Sequence, residues 1–123
     1  MRNVIITSNG KEYFLNKDLS SDIIESTNHF DLQVNYSNNE EYVDIADVAP
    51  LQRPLFLKYL CDKAWEIIQV NYNNLGEIEA KKEAYSRIAE HFYNNGNIEM
   101  TCKFYMMTLD AFEPFLKDNN RVK

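Results

Sequence analysis

Apolar and polar residues follow two different periods, one in each half of the chain. In the first half, short β-branched and aromatic runs at residues 4–7 and 13–15 flank Asn9 and Gly10. Because Asn and Gly tolerate positive φ, this dipeptide is a strong signal for a tight turn between two strands. We therefore predict a β-hairpin over residues 3–15.

A short helix is predicted after the hairpin. Ser20 or Ser21 can accept hydrogen bonds from the free N–H groups of a first helical turn. The helix then covers about residues 21–27. Its apolar side buries Ile23 or Ile24.

Two more strands are predicted before the middle of the chain. Residues 30–36 alternate between apolar and polar side chains, which is the period of a strand with one buried face. A turn at residues 37–40 leads to a strand at residues 42–45. Val43 and Ile45 share one face of that strand.

The second half carries apolar residues at intervals of three and four, the spacing of one helix face. The first helix begins near Pro54, because proline is tolerated in a first turn, and ends near Gly76 as a left-handed cap. Two helices follow over about residues 77–93 and 97–112, and Pro114 stops or bends the last one. The positions expected to be buried on the three helices are Phe56, Leu60, Ala64, Ile67, Ile78, Tyr85, Ile88, Ala89, Phe92, Ile98, Thr101, Cys102, Tyr105 and Leu109.

These elements predict an α+β fold, in which a small mixed sheet from N-terminal hairpins packs against a C-terminal helical bundle. The 123 residues form one domain, β-rich over residues 1–49 and helical over residues 50–117. No long linker divides the two halves.

Composition and charge exclude several classes of function. A net charge of -6 without a Lys/Arg cluster disfavours binding to nucleic acid or to an anionic membrane. No apolar run is long enough to span a bilayer, and residues 1–4 do not begin a secretory signal. Cys61 and Cys102 are expected to be reduced thiols of an intracellular protein. We expect no catalytic residue, metal or cofactor, because no acid–base pair, nucleophile with a base or ligand cluster occurs.

A helical repeat is an alternative for the second half. Trp65, Tyr85 and Tyr105 lie 20 residues apart, and residues 85–105 place large and small residues as a tetratricopeptide-type helix pair does. This reading predicts a peptide-binding protein. It covers one repeat and leaves the strands of the first half unexplained, whereas a solenoid needs about three repeats to bury a core.

A resemblance to a known family spans most of the chain. Residues 4–14, with a Ser8-Asn9-Gly10 turn, resemble the opening hairpin of the Skp adaptor and elongin C family, whose members share a BTB/POZ fold. Residues 19–24 and 43–60 resemble the helix, and then the strand, loop and helix, that follow. Residues 88–93 and 100–103 resemble the Ala-Ala-Asn-(Tyr/Phe)-Leu helix end and the Val-Thr-Cys-Lys helix of the Skp adaptor.

The resemblance implies a non-catalytic adaptor that bridges a cullin scaffold to an F-box or BC-box substrate receptor in a ubiquitin ligase complex. It implies a protein of the cytoplasm and nucleus, with an elongin B-like partner as a further possibility. The Skp-like and elongin-C-like branches both remain open. The BTB/POZ fold also serves adaptors in transcription and kinetochore complexes.

The resemblance assigns two sets of interaction residues. His91 and Phe92 match the family's Asn-(Tyr/Phe) pair at the cullin face, with His in place of Asn. The positions that would line the receptor groove are Ile88, Ile98, Cys102 and Tyr105.

Overall fold

The computed structural model describes residues 4–14, 17–37 and 40–116, and the statements below refer to these residues. Four strands form one mixed sheet in the order β2-β1-β4-β3. The strands are β1 (Val4–Ser8), β2 (Lys11–Phe14), β3 (Asn35–Ser37) and β4 (Glu40–Asp44). The predicted hairpin is confirmed: β1 and β2 pair antiparallel across Asn9 and Gly10, whose φ angles are 52° and 81°. Its predicted ends at residues 3 and 15 lie outside the described residues.

The strand register brings one row of side chains to the core. Ile6 of β1 is the partner of Tyr13 on β2 and of Val43 on β4, and β1 runs parallel to β4. All three side chains are buried. Since side chains alternate between the faces of a strand, this row fixes the inner face of the sheet.

The helices are α1 (Lys17–Glu25), α2 (Thr27–Phe30), α3 (Arg53–Asn71), α4 (Gly76–Asn94) and α5 (Ile98–Leu116), with a 3-10 turn at Ile45–Asp47. Among the described elements, α5 packs against α3, α4 and β2, whereas α4 packs appreciably only against α5. The rings of Trp65 on α3 and Phe112 on α5 stack with centroids 5.7 Å apart. The sheet and the helices share one hydrophobic core.

The turn between α4 and α5 follows from its Asn and Gly residues. Gly96 has a φ of 78°, and the N–H groups of Gly96 and Asn97 donate to the carbonyls of Tyr93 and Phe92. This pattern of bonds is a Schellman motif, in which a left-handed residue closes the helix. The side chain of Asn97 then accepts from the N–H of Met100 at 3.1 Å and caps α5.

Two predictions in the first half are wrong. Ser20 and Ser21 lie inside α1, so neither caps it. The strand predicted over residues 30–36 is reduced to β3, because Phe30 ends α2 and packs its ring against Phe56 at 5.7 Å. Burial in the core therefore overrides the local alternation, and Tyr36 remains 70% exposed.

Two predictions in the second half also fail. Gly76 is the first residue of α4, and Asn74, with a φ of 59°, adopts the left-handed conformation instead. Of the residues predicted to be buried on α4, only Ala89 is. The others are half-buried or exposed: Ile78, Tyr85, Ile88 and Phe92.

The predicted α+β class is confirmed at the level of a small sheet packed with helices. A helical-repeat protein would be an all-helical superhelix. The described sheet does not fit that fold. On α3 the predicted face is buried at Phe56, Leu60 and Ala64, while Ile68 replaces Ile67 in the core.

Candidate partner-binding surfaces

The first surface lies along the line where α4 packs against α5. Phe104 on α5 stacks on Phe92 with ring centroids 5.9 Å apart and lies 6.2 Å from the ring of Tyr85. All three rings are only half-buried. Ile88, one helical turn before Phe92, is 38% exposed. We name Tyr85, Ile88, Phe92 and Phe104 the α4–α5 seam.

His91 lies beside the seam in the last turn of α4. Its side chain is exposed, and its ring centroid is 5.7 Å from that of Phe92. Asn95 Nδ2 donates to the backbone carbonyl of His91 at 2.8 Å and so stabilises the helix end. The exposed imidazole can donate or accept a hydrogen bond with a partner.

The structure thus brings together residues that were predicted to contact different partners. Phe92 was assigned to the cullin and Ile88 to the receptor. They lie four residues apart on one helix, which places them on the same face. A single partner that covers the seam would contact both.

The second surface is an open groove of about 970 Å³ between the hairpin turn and α5. Ile98, Cys102 and Met106 recur every four residues on α5 and line one side of it. The groove also takes in the carboxyl end of β4 and the first residue of α3. Its full lining is Ser8, Asn9, Lys11, Tyr13, Asp44, Ile45, Ala46, Arg53, Ile98, Glu99, Cys102, Lys103, Met106, Met107 and Asp110. We call it the hairpin–α5 groove.

A polar cluster fastens the hairpin to α5 at one end of this groove. Lys11 Nζ lies 3.0 Å from Asp110 Oδ1 and 3.3 Å from Glu113 Oε1, and the hydroxyl of Tyr13 donates to Asp110. The hydrogen bond to Asp110 raises the pKa of Lys11. Burial, together with the bond to Asp110, raises the pKa of Tyr13 to about 12. We call Lys11, Tyr13, Asp110 and Glu113 the hairpin clamp.

Arg53, another residue of the groove lining, donates two hydrogen bonds to the segment between β4 and α3. Its Nε donates to the carbonyl of Val48 at 2.7 Å, and one Nη donates to the carbonyl of Ala46 at 2.8 Å. These acceptors carry no charge. Within the described residues no carboxylate pairs with Arg53 or with Lys103, so both bring positive charge to the groove.

Neither thiol is activated. Cys61 is buried and donates to the carbonyl of Tyr105 at 3.5 Å, and its burial raises its pKa. Cys102 is half-buried; burial raises its pKa, and the charge of Arg53 acts in the opposite direction. Because the thiolate is the reactive form, both thiols are poor nucleophiles at neutral pH.

The structure divides the predicted receptor residues among three places. Ile98 and Cys102 line the hairpin–α5 groove, and Ile88 belongs to the α4–α5 seam. Tyr105 is only 4% exposed and packs in the core, and its assignment to the receptor groove stays a prediction. Sequence reasoning missed Met106, although its spacing of four from Cys102 could have identified it.

Three further findings concern the chemistry of the described residues. They contain no group of His, Cys, Asp and Glu that could hold a metal ion. No described helix is long and apolar enough to cross a membrane. Comparison with family models, curated proteins and solved structures finds no match to this chain.

Proposed function

We propose that this chain is a non-catalytic adaptor of a cullin-type ubiquitin ligase complex, with a BTB/POZ-like fold. It bridges a cullin scaffold to an F-box or BC-box substrate receptor in the cytoplasm and nucleus. The observation that carries the proposal is the order of elements. A hairpin and two short helices precede a strand that runs parallel to the first one, and the helical half ends in α4 and α5. The resemblance to the Skp adaptor and elongin C family implies this order.

The two surfaces support a bridging role. A bridging adaptor needs two separate contact areas, and the α4–α5 seam and the hairpin–α5 groove share no residue. Both expose apolar side chains of the kinds that interfaces favour: aromatic residues in the seam and methionine in the groove. The seam therefore suits one partner and the groove another.

In this proposal the cullin covers the end of α4, where His91 and Phe92 lie. Ile88 lies within the same seam, so we assign it to the cullin as well. The receptor covers the groove, where Ile98 and Cys102 lie on α5. Tyr105 supports α5 from the core.

Binding to a purified cullin N-terminal domain tests the proposal. We expect a complex by size-exclusion chromatography and isothermal titration calorimetry, and His91→Ala to weaken it about tenfold, which corresponds to about 1.4 kcal/mol. Glu83→Ala is the matched control, because Glu83 is also an exposed position of α4 but lies two turns away. Since alanine favours a helix, neither change should unfold α4.

The cullin assignment fails if no cullin binds at about 100 µM, the weak end of specific association. It also fails if His91→Ala and Glu83→Ala change the affinity equally. A panel of F-box and BC-box receptors, tested with the same chain, decides between the Skp-like and elongin-C-like branches.

A further inference from the structure

Two Asn-Gly dipeptides occur in the chain, Asn9-Gly10 and Asn95-Gly96, and both lie in exposed turns. An asparagine that precedes glycine is open to an intramolecular reaction, because glycine has no Cβ to shield its main-chain nitrogen. That nitrogen, once it has lost its proton to the solvent, attacks the side-chain carbon Cγ of the asparagine. A new N–Cγ bond forms, the Cγ–Nδ2 bond breaks, and ammonia leaves.

Water then opens the cyclic succinimide that this attack produces. Opening at the former side-chain carbonyl gives aspartate. Opening at the main-chain carbonyl gives isoaspartate, in which the chain runs through Cβ and Cγ. The overall reaction replaces ammonia with water and needs no oxidant or reductant. It does require the asparagine to rotate about ψ, so that Cγ can approach the next nitrogen.

The turn between α4 and α5 restrains Asn95 against this rotation. Asn95 Nδ2, the group that would leave as ammonia, donates to the carbonyl of His91 at 2.8 Å. The N–H of Gly96, the attacking group, donates to the carbonyl of Tyr93 at 3.0 Å. Rotation about ψ of Asn95 would break these bonds and open the Schellman motif that closes α4.

The hairpin turn does not restrain Asn9 in this way. The pairing of β1 with β2 ends at Ser8 and Lys11, so Asn9 and Gly10 lie beyond the last pair of the ladder. Within the part of the chain that the structure describes, neither the Asn9 side chain nor the N–H of Gly10 makes a hydrogen bond. The space beside Gly10 is open, since a Cβ built there would meet no atom within 4 Å. The reaction at Asn9 therefore requires only the turn itself to move.

We propose that Asn9 is a site of spontaneous deamidation and that its isoaspartate product loosens the hairpin from α5, whereas Asn95 is protected by its turn. Isoaspartate lengthens the main chain of the turn by one carbon atom, and the length of a hairpin turn fixes the register of its strands. Lys11 directly follows the turn, and its Nζ lies 3.0 Å from Asp110 and 3.3 Å from Glu113. A shift of Lys11 weakens both ion pairs of the hairpin clamp.

The modification also changes the charge of the hairpin–α5 groove, which Asn9 lines. Charges of both signs are balanced in this lining, with cations at Lys11, Arg53 and Lys103 and anions at Asp44, Glu99 and Asp110. Either product adds a carboxylate, so the lining becomes net negative. Asn9→Asp adds the same charge without lengthening the main chain, because aspartate tolerates positive φ. This variant separates the effect of charge from that of the longer turn.

Peptide mapping by mass spectrometry, after incubation in mildly alkaline buffer, tests where the reaction occurs. In the folded chain we expect Asn9 to convert at least about tenfold faster than Asn95. In guanidinium chloride, where neither turn persists, we expect similar rates, because glycine follows both asparagines. The proposal is overturned if the folded chain converts both sites equally or neither site. It is also overturned if the unfolded chain shows the same preference, since the turns would then have no part in it.

Urea denaturation and amide NMR test whether the hairpin is loosened. The isoaspartate fraction of the aged protein, isolated by anion exchange, is compared with Asn9→Asp. We expect a lower urea midpoint for the isoaspartate form and displaced amide signals for Lys11 and Asp110. Equal midpoints and equal spectra would overturn the loosening. None of these measurements uses a cullin or a receptor, so their outcome is independent of the adaptor proposal.

Discussion

At the residue scale, the turns depend on a few residues with positive φ. Asn9, Gly10, Asn74 and Gly96 adopt this conformation, in which residues other than Gly and Asn are strained. The hairpin turn could be predicted because Asn-Gly is strongly favoured where both residues of a two-residue turn need positive φ. The end of α3 could not, because the helix stops at Asn71 with Tyr72 extended, and the left-handed residue, Asn74, lies in the loop beyond it rather than at Gly76.

Two glycine substitutions should have different effects on stability. Gly96→Ala places a Cβ at a φ of 78°, and we expect it to lower the free energy of unfolding by about 1–2 kcal/mol. Gly76→Ala meets open space in the first turn of α4, and it should be neutral or stabilise by up to about 1 kcal/mol. Urea denaturation measures both. Equal effects of the two changes would contradict the assigned Schellman turn.

The two thiols should react at different rates in the folded protein. Cys102 is half-buried in the wall of an open groove, whereas Cys61 is enclosed between α3 and α5. At pH 8 we expect one slow reaction with a disulfide reagent, which Cys102→Ser abolishes and Cys61→Ala preserves. Cys61 should react only on unfolding. Two thiols reacting at the same rate without urea would contradict this placement.

At the scale of elements, the hairpin clamp joins parts of the chain that sequence patterns cannot connect. Lys11 and Tyr13 lie in the first strand pair, and Asp110 and Glu113 lie in the last helix. Periodicity detects each element separately because it reports only local burial. Contacts between the first and last elements depend on how the whole chain folds. The sequence therefore did not predict the groove that has the clamp at one end.

The clamp predicts a loss of stability in alkali. The folded state raises the pKa of Lys11 and raises that of Tyr13 to about 12, so it favours the protonated form of each. Their contribution is fully present below the unfolded pKa values of about 10 and is lost as the pH rises through the raised values. We expect the urea midpoint to fall above about pH 10.

Tyr13→Phe provides the control for this pH dependence. It keeps the buried ring but removes the bond to Asp110, and we expect a cost of about 1 kcal/mol near neutral pH. The decline in alkali should be shallower in this variant, because one of the two titrating groups is gone. An identical pH profile in the variant would show that Tyr13 has no part in the loss.

At the scale of the whole molecule, α5 joins α3, α4 and β2, each of which contacts it. The sequence predicted its existence and half of its buried residues, Thr101, Tyr105 and Leu109, but not Thr108, Phe112 and Leu116. It did not predict that α5 lies between α3 and α4, which leaves α4 on the outside with one buried residue. The apolar residues of α4 were predicted to be core because hydrophobicity alone does not distinguish a core face from one that stays partly exposed.

Because α5 contacts α3, α4 and β2, we expect the sheet and the helices to unfold together. Phe112→Ala removes the ring stacked on Trp65 and should cost about 3–5 kcal/mol, a large part of the typical total of about 5–15 kcal/mol. If that variant does not fold, Phe112→Leu should retain the fold at a cost of about 1–2 kcal/mol. Ile88→Ala, in the exposed seam, should cost less than about 1 kcal/mol.

The fluorescence of Trp65, the single tryptophan, and the circular dichroism of the backbone can be followed in the same urea titration. Trp65 reports the contact between α3 and α5, and circular dichroism reports all helices, α4 included. We expect the two transitions to coincide in the wild type and in Phe112→Leu, as in a two-state unfolding reaction. If α4 instead melted before Trp65 changed, α4 would be a separate unit that depends on a partner for its stability, which is the behaviour expected of an uncovered α4–α5 seam.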